Sequence, residues 1–97
     1  MDYLKKYNLT DEDLQEIYEN LSYENWSNIT GSSTKVKGVL DYLASIGITN
    51  FKDIFLYKPS VFYLYAEDIK KYIEECEYPD IIEKLKEDIY NFELFGL

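Results

Sequence analysis

Apolar positions recur along the chain at the three-to-four spacing of amphipathic helices, and short polar stretches separate one such run from the next. Leu14, Ile17, Tyr18 and Leu21 form the first face. Thr10 stands where an N-cap belongs and Asp13 follows three residues later. Leu9 and Leu14 flank that cap at the positions of a hydrophobic staple, so the start of the helix is specified from both sides. Asp11, Glu12 and Asp13 fall in its first turn, where the helix dipole favours negative charge. Residues 22–33 are polar, with Gly31 and several serines, and read as a loop that Trp26 and Ile29 fold back onto the core. A second helix follows from a Ser33 or Thr34 cap through Val36, Val39, Leu40, Leu43 and Ile46, with Gly47 as its left-handed stop.

The third run begins at Thr49 or Asn50 and carries Phe51, Ile54 and Phe55 inward, and then a proline interrupts residues that stay apolar. Pro59 has no amide hydrogen and disfavours helical geometry in the residue before it, so this helix ends near Tyr57 or Lys58. Val61, Phe62 and Leu64 then belong to a short turn or a single helical turn tucked under the core. The residue types over 60–65 also suit a β-strand, although a lone strand would have no partner. Residues 66–78 predict a fourth helix through Ile69, Tyr72, Ile73 and Cys76. Beyond Pro79, residues 80–95 predict a fifth through Ile81, Ile82, Leu85, Ile89 and Phe92, with Phe95 and Leu97 trailing. The pattern as a whole predicts an all-α fold, a compact bundle of about five short helices.

Set against itself, the chain shows a two-helix unit twice. Leu14 matches Ile54 at an offset of 40, while Val36, Val39, Leu40 and Leu43 fall on Ile69, Tyr72, Ile73 and Cys76 at an offset of 33. The difference of seven residues is assigned to extra loop within residues 23–32. Two stacked helix-turn-helix repeat units are the finer expectation, although a four-position apolar match is common among amphipathic helices.

Within residues 36–73, "VLDYLASIGI", the Gly47 break, "NFKDIFLYKPSVF" ended by Pro59, and "AEDIKKYI" leading out resemble the helical repeat of the mitochondrial transcription termination factor family. That resemblance implies a stacked helical array and, with it, nucleic acid bound along a basic groove.

Composition works against that groove. The 97 residues suffice for one domain, residues 1–97, and the apolar share of 46% suits a folded core. There are 19 acidic residues against 10 basic ones, a net charge of −9, and every basic residue is lysine. Without arginine there is no planar fork for phosphate or guanine, and without histidine the commonest general base and metal ligand is missing. The lysines occur as scattered pairs, most beside carboxylates, and the net charge repels polyanions, so nucleic acid is disfavoured as a partner. The bias towards Lys, Asn, Ile and Tyr is that of an AT-rich genome, which points to an AT-rich bacterium or its phage.

Cys76 is the only cysteine, which excludes an intramolecular disulfide and a multi-cysteine zinc site and fits a reducing compartment. The opening "MDYLKKYNLT" lacks the basic start and apolar core of a signal peptide, and no apolar run approaches the ~20 residues of a membrane span. A cytoplasmic location away from membranes is expected. The Asn-x-Ser/Thr triplets at Asn8, Asn20, Asn25 and Asn28 are then chance features of an Asn- and Ser-rich stretch.

The raw material for chemistry is carboxylate, tyrosine, lysine and one thiol. Neighbouring acids such as Glu67/Asp68 or Glu74/Glu75 point in different directions from a helix, and Cys76 has no histidine to activate it and is expected to be buried as packing. "DEDLQE" lacks the spacing and central glycine of a calcium loop. No catalytic residue, metal ligand or cofactor is therefore expected, and the chain reads as non-enzymatic. Glu12, Glu16 and Glu19 instead recur at helical spacing opposite the Leu14/Ile17/Leu21 face, about one charge per turn. Glu67, Glu74, Glu75 and Glu77 add a second acidic patch. Ordinary solubilising charge is the plain alternative for both. Eleven tyrosines exceed what one small core needs, and Tyr3, Tyr23, Tyr63 and Tyr65 are candidates for exposed interface anchors. These features predict a small acidic protein that binds another protein with a basic surface. In its sharper form it is a phage or mobile-element inhibitor occupying a basic nucleic-acid-binding site. The alternative is a regulator of the transcription termination factor type that itself binds nucleic acid. The C-terminal "NFELFGL" either seals the core or pairs two copies into a homodimer.

Overall fold

Thr10 and Asp13 close a reciprocal capping box: Asp13 N–H donates to the Thr10 hydroxyl at 3.1 Å, and Thr10 N–H donates to the Asp13 carboxylate at 3.0 Å. The helix so started, α1, spans Asp11–Asn20, and it buries Ile17 fully with Leu14 and Leu21 packed partly against the core. The computed structural model describes residues 2–97, with side chains from Leu4 onward; the expectation for the Tyr3 side chain lies outside them. A 3-10 helix, η1 (Asp2–Tyr7), precedes α1 and inserts Leu4 into the core.

Six α-helices and three 3-10 helices make up the described residues, and no strand occurs among them. After α1 come α2 (Tyr23–Gly31), α3 (Ser33–Ser45), α4 (Phe51–Tyr57), η2 (Pro59–Tyr63), α5 (Ala66–Glu75), α6 (Ile81–Glu87) and η3 (Ile89–Phe95). The all-α expectation holds, with more and shorter elements than five. Residues 22–33 are not a loop. Ser22 caps α2 by accepting from Asn25 N–H at 3.1 Å, and the complete burial of Ile29 overrides the low helix propensity of the Asn, Ser and Thr around it. The last helix is not continuous either. Asp88 adopts φ −150°, ψ 113° and turns its carboxylate onto Tyr90 N–H at 2.9 Å, which ends α6 and starts η3.

Gly47 ends α3 as the sequence predicts. Its φ is +87°, its N–H donates to the Ala44 carbonyl at 3.1 Å, and Ile48 N–H donates to the Leu43 carbonyl at 2.9 Å. This is a Schellman motif, and its hydrophobic partners, Leu43 and Ile48, are both fully buried. Pro59 likewise acts as a stop. Lys58 leaves helical geometry, Pro59 opens η2, and the short element drives Val61 and Phe62 under the core, where Phe62 stacks on Phe55 with ring centres 4.0 Å apart. An apolar run survives the proline because both sides of it face the same interior.

The helices related by the two sequence offsets are neighbours in space, α1 against α4 and α3 against α5, with α2 and η2 also in contact. The extra length of the first unit is helix, not loop: α2 has nine residues where η2 has five, and α1 has ten where α4 has seven. A second recurrence lies thirty residues on. A short helix, one non-helical residue and a 3-10 helix form both α4–Lys58–η2 and α6–Asp88–η3, and Phe51, Phe55 and Phe62 fall on Ile81, Leu85 and Phe92, all buried. The core is apolar throughout: no polar or charged residue is buried among those described.

Candidate functional site

With an apolar interior, the surface carries the chemistry. Of the first acidic stripe, Glu12 and Glu19 remain exposed, whereas Glu16 is bound by Lys52 of α4 at 2.6 Å. Lys52 also reaches Asp13 at 3.4 Å. Its ammonium is held above the ordinary lysine range, chiefly by the hydrogen bond it donates to Glu16, while the Thr10 N–H holds the Asp13 carboxyl below its usual value, with Lys52 adding to it. The centre of the stripe thus serves the α1–α4 contact. Glu19 accepts a hydrogen bond from Gln15 at 3.0 Å, a neutral partner that leaves its charge in place.

Glu19 lies in a shallow cleft of about 440 Å³ with Tyr18, Leu21, Tyr23 and Trp26. Tyr23 is 86% exposed, the most open of the large hydrophobic side chains described, and Tyr18 is 57% exposed with its ring edge-to-face on Trp26. Tyr18 was expected on the inner face of α1. The α1–α2 corner turns it outward, because α2 supplies Trp26 as a lateral support. One predicted carboxylate and one predicted tyrosine, Glu19 and Tyr23, therefore share a site, and the sequence signal that would have completed it is the helical spacing of Trp26 and Ile29.

Tyr63 is different. It is half-buried, and its hydroxyl donates to the side-chain oxygen of Asn25, tying η2 to α2; burial, with the charge of Glu24 adding, pushes its phenol above the ordinary range. It works as an internal tie and not as an exposed anchor. Tyr65 is 63% exposed and lines a groove with Thr34, Lys35, Gly38 and Glu67, so this tyrosine and Glu67 also come together. Lys35 stands 4.7 Å from the Tyr65 ring centre and covers it.

The second acidic patch divides. Glu74 approaches Lys70 of its own helix at 3.9 Å, and its charge adds to the upward shift that burial gives the Tyr42 phenol of α3. Glu75 and Glu77 instead flank a cleft of about 500 Å³ between the end of α5 and η3, lined by Tyr72, Tyr78, Leu94 and Phe95. Cys76, the C-cap of α5, is half-buried in the same cleft and packs against the core less completely than the sequence predicts, because the helix ends there. Neither Glu75 nor Glu77 enters an ion pair among the described residues.

Lysines, by contrast, are largely engaged. Lys5, Lys52, Lys58, Lys70 and Lys86 form ion pairs, and Lys35 and Lys84 stand over tyrosine rings. No three acidic or thiol side chains among the described residues are grouped to hold a metal ion, and no helix there is long and apolar enough to cross a membrane. The fold and surface define an acidic all-helical protein whose exposed carboxylates neighbour exposed aromatic rings. No protein-family model, curated protein or solved structure matches the chain.

Proposed function

We propose that this protein acts by binding another protein, one with a basic surface, in the cytoplasm and without catalysing a reaction. The observation that carries this reading is the pairing of unneutralised carboxylates with open aromatic rings: Glu19 beside Tyr18 and Tyr23, and Glu75 and Glu77 beside Tyr72. Aromatic rings supply interface area at low entropic cost, and the carboxylates select a cationic partner and speed its approach. In its sharper form the protein is a phage or mobile-element inhibitor that fills a basic nucleic-acid-binding site on its target. Affinity capture with the full chain from an AT-rich bacterial host tests this. Recovery of a nucleic-acid-binding protein whose nucleic acid is displaced by added chain is the expected result, and recovery of none overturns the inhibitor reading.

A second reading has one observation in its favour. Helices matched by the sequence offsets pack on one another, α1 on α4 and α3 on α5, as two stacked helix-turn-helix units of a termination-factor-like array would. On that reading the protein binds nucleic acid itself. The engagement of its lysines with carboxylates and rings counts against it, because phosphate contact requires free cations. A salt-dependent shift of duplex DNA or RNA by the purified protein would establish it.

A further inference from the structure

The α5–η3 cleft has an aromatic floor built from two elements of the fold. Tyr72 and Phe95 stack with ring centres 5.6 Å apart and an interplanar angle of 15°, and Leu94 extends the apolar wall. Three exposed tyrosines lie under the chain's own lysines: Lys35 over Tyr65, Lys58 over Tyr90 and, at the rim of this cleft, Lys84 over Tyr78 at 5.7 Å. No cation of the described residues stands over the Tyr72–Phe95 pair. Beside that uncovered pair are Glu75 and Glu77, both exposed and both outside every ion pair described.

We infer that this cleft receives an arginine side chain from a basic segment of the partner protein. The inference rests on the protein-binding reading above and deepens it by naming the site and the group. Guanidinium is planar, weakly hydrated and able to stack on an aromatic face while its edge donates to carboxylates, and the cleft offers a stacked pair and two carboxylates together. A volume of about 500 Å³ accommodates the side chain and its flanking residues. The chain contains no arginine of its own, so it has no internal competitor of that shape. A second copy of this protein is disfavoured as occupant, because a surface of net charge −9 meets its like across Glu75 and Glu77.

Cys76 lies in the cleft and is the only thiol, so its alkylation rate by iodoacetamide reports occupancy. The probe is a synthetic nine-residue peptide with one central arginine between leucines, compared with peptides carrying lysine, citrulline or glutamate at that position. The arginine peptide is expected to slow labelling with a midpoint about tenfold lower than citrulline, equivalent to ~1.4 kcal/mol, and the glutamate peptide to have no effect. Glu75→Gln with Glu77→Gln, both at exposed positions, removes the arginine preference, and Tyr72→Leu weakens the arginine, lysine and citrulline peptides while leaving the carboxylates in place. Equal protection by citrulline or glutamate, or a preference unchanged by the double substitution, overturns the inference. If a basic partner is captured by the chain while Cys76 labels at its free rate and the double variant captures as well as the parent, this inference fails and the broader reading stands.

Discussion

Lys52 of α4 places its ammonium 2.6 Å from Glu16 of α1, and the same nitrogen is 3.4 Å from Asp13, so one cation joins the N-terminal cap of α1 to the neighbouring helix. The pH dependence of stability follows from the signs of the two shifts. Asp13 is held below the ordinary aspartate value, chiefly by Thr10 N–H, so its contribution is present above that value and is lost as pH falls through the lowered one. Lys52 is held above 10.5, so its contribution is present below that value and is lost as pH rises through the raised one. Urea midpoints measured across pH should carry an acid limb to which Asp13 contributes and an alkaline limb to which Lys52 contributes together with the raised phenols of Tyr42 and Tyr63. Asp13→Asn should flatten the acid limb and Lys52→Met the alkaline one. Limbs unchanged by both substitutions would contradict the assignment.

The same cap can be removed without touching a charge. Thr10→Ala deletes the acceptor for Asp13 N–H and should destabilise the protein by about 1 kcal/mol, seen as a Tm lower by roughly 4–8 °C. Thr10→Ser keeps the acceptor and should stay within a degree or two of the parent, on the order of the small Ser–Thr difference in capping strength.

Gly47→Ala addresses the end of α3. At φ +87° an L side chain is strained whatever its surroundings, and the penalty should be about 1–2 kcal/mol by thermal or urea denaturation. A Cβ at this position would also meet the Lys86 side chain at 2.9 Å, but the groups it meets, Cε and Nζ, are the far end of a flexible chain that can swing aside. Backbone strain therefore dominates. Lys86→Ala should fail to rescue Gly47→Ala, and a full rescue would show that the contact mattered more than the backbone.

Phe62 and Tyr23 separate stability from binding. Phe62 is 1% exposed and stacked on Phe55, so Phe62→Ala should cost about 3–5 kcal/mol, a large part of what a domain of this size has to lose. Tyr23 is 86% exposed, and Tyr23→Ala should change stability by no more than about 0.5 kcal/mol while weakening capture of a protein partner. Equal loss of stability at both positions would mean that α2 contributes more to the core than Ile29 alone.

How far the sequence carries the fold can be read from particular residues. Thr10, Gly47 and Pro59 act through their own backbone chemistry, so the start of α1, the end of α3 and the end of α4 were legible in single letters. Helix α2 was not, because its sequence is a poor helix former and what holds it is Ile29, whose burial depends on the rest of the molecule. The break at Asp88 was hidden for the opposite reason: Ile89 and Phe92 keep the helical spacing, since a 3-10 turn presents nearly the same face, and only the Asp88 carboxylate on Tyr90 N–H marks the change. At the surface, helical spacing identified Glu12, Glu16 and Glu19 as one stripe, but it carries no information about α4. The removal of Glu16 from that stripe by Lys52 is a tertiary fact.

That removal gives the acidic stripe a test with an internal contrast. Glu12 and Glu19 are exposed and form no ion pair among the described residues, whereas Glu16 is spent on Lys52. If α1 meets a basic partner, Glu12→Gln with Glu19→Gln should slow association and reduce its salt dependence, by about 0.2–1 kcal/mol for each rim charge. Glu16→Gln should leave the association rate nearly unchanged and instead lower stability at neutral pH, because it leaves Lys52 with Asp13 alone. Stopped-flow association at two salt concentrations, together with urea denaturation of each variant, separates the two effects. A loss of binding from Glu16→Gln greater than from the double variant would mean that Lys52 releases Glu16 when the partner arrives, and the stripe would then act as three charges, not two.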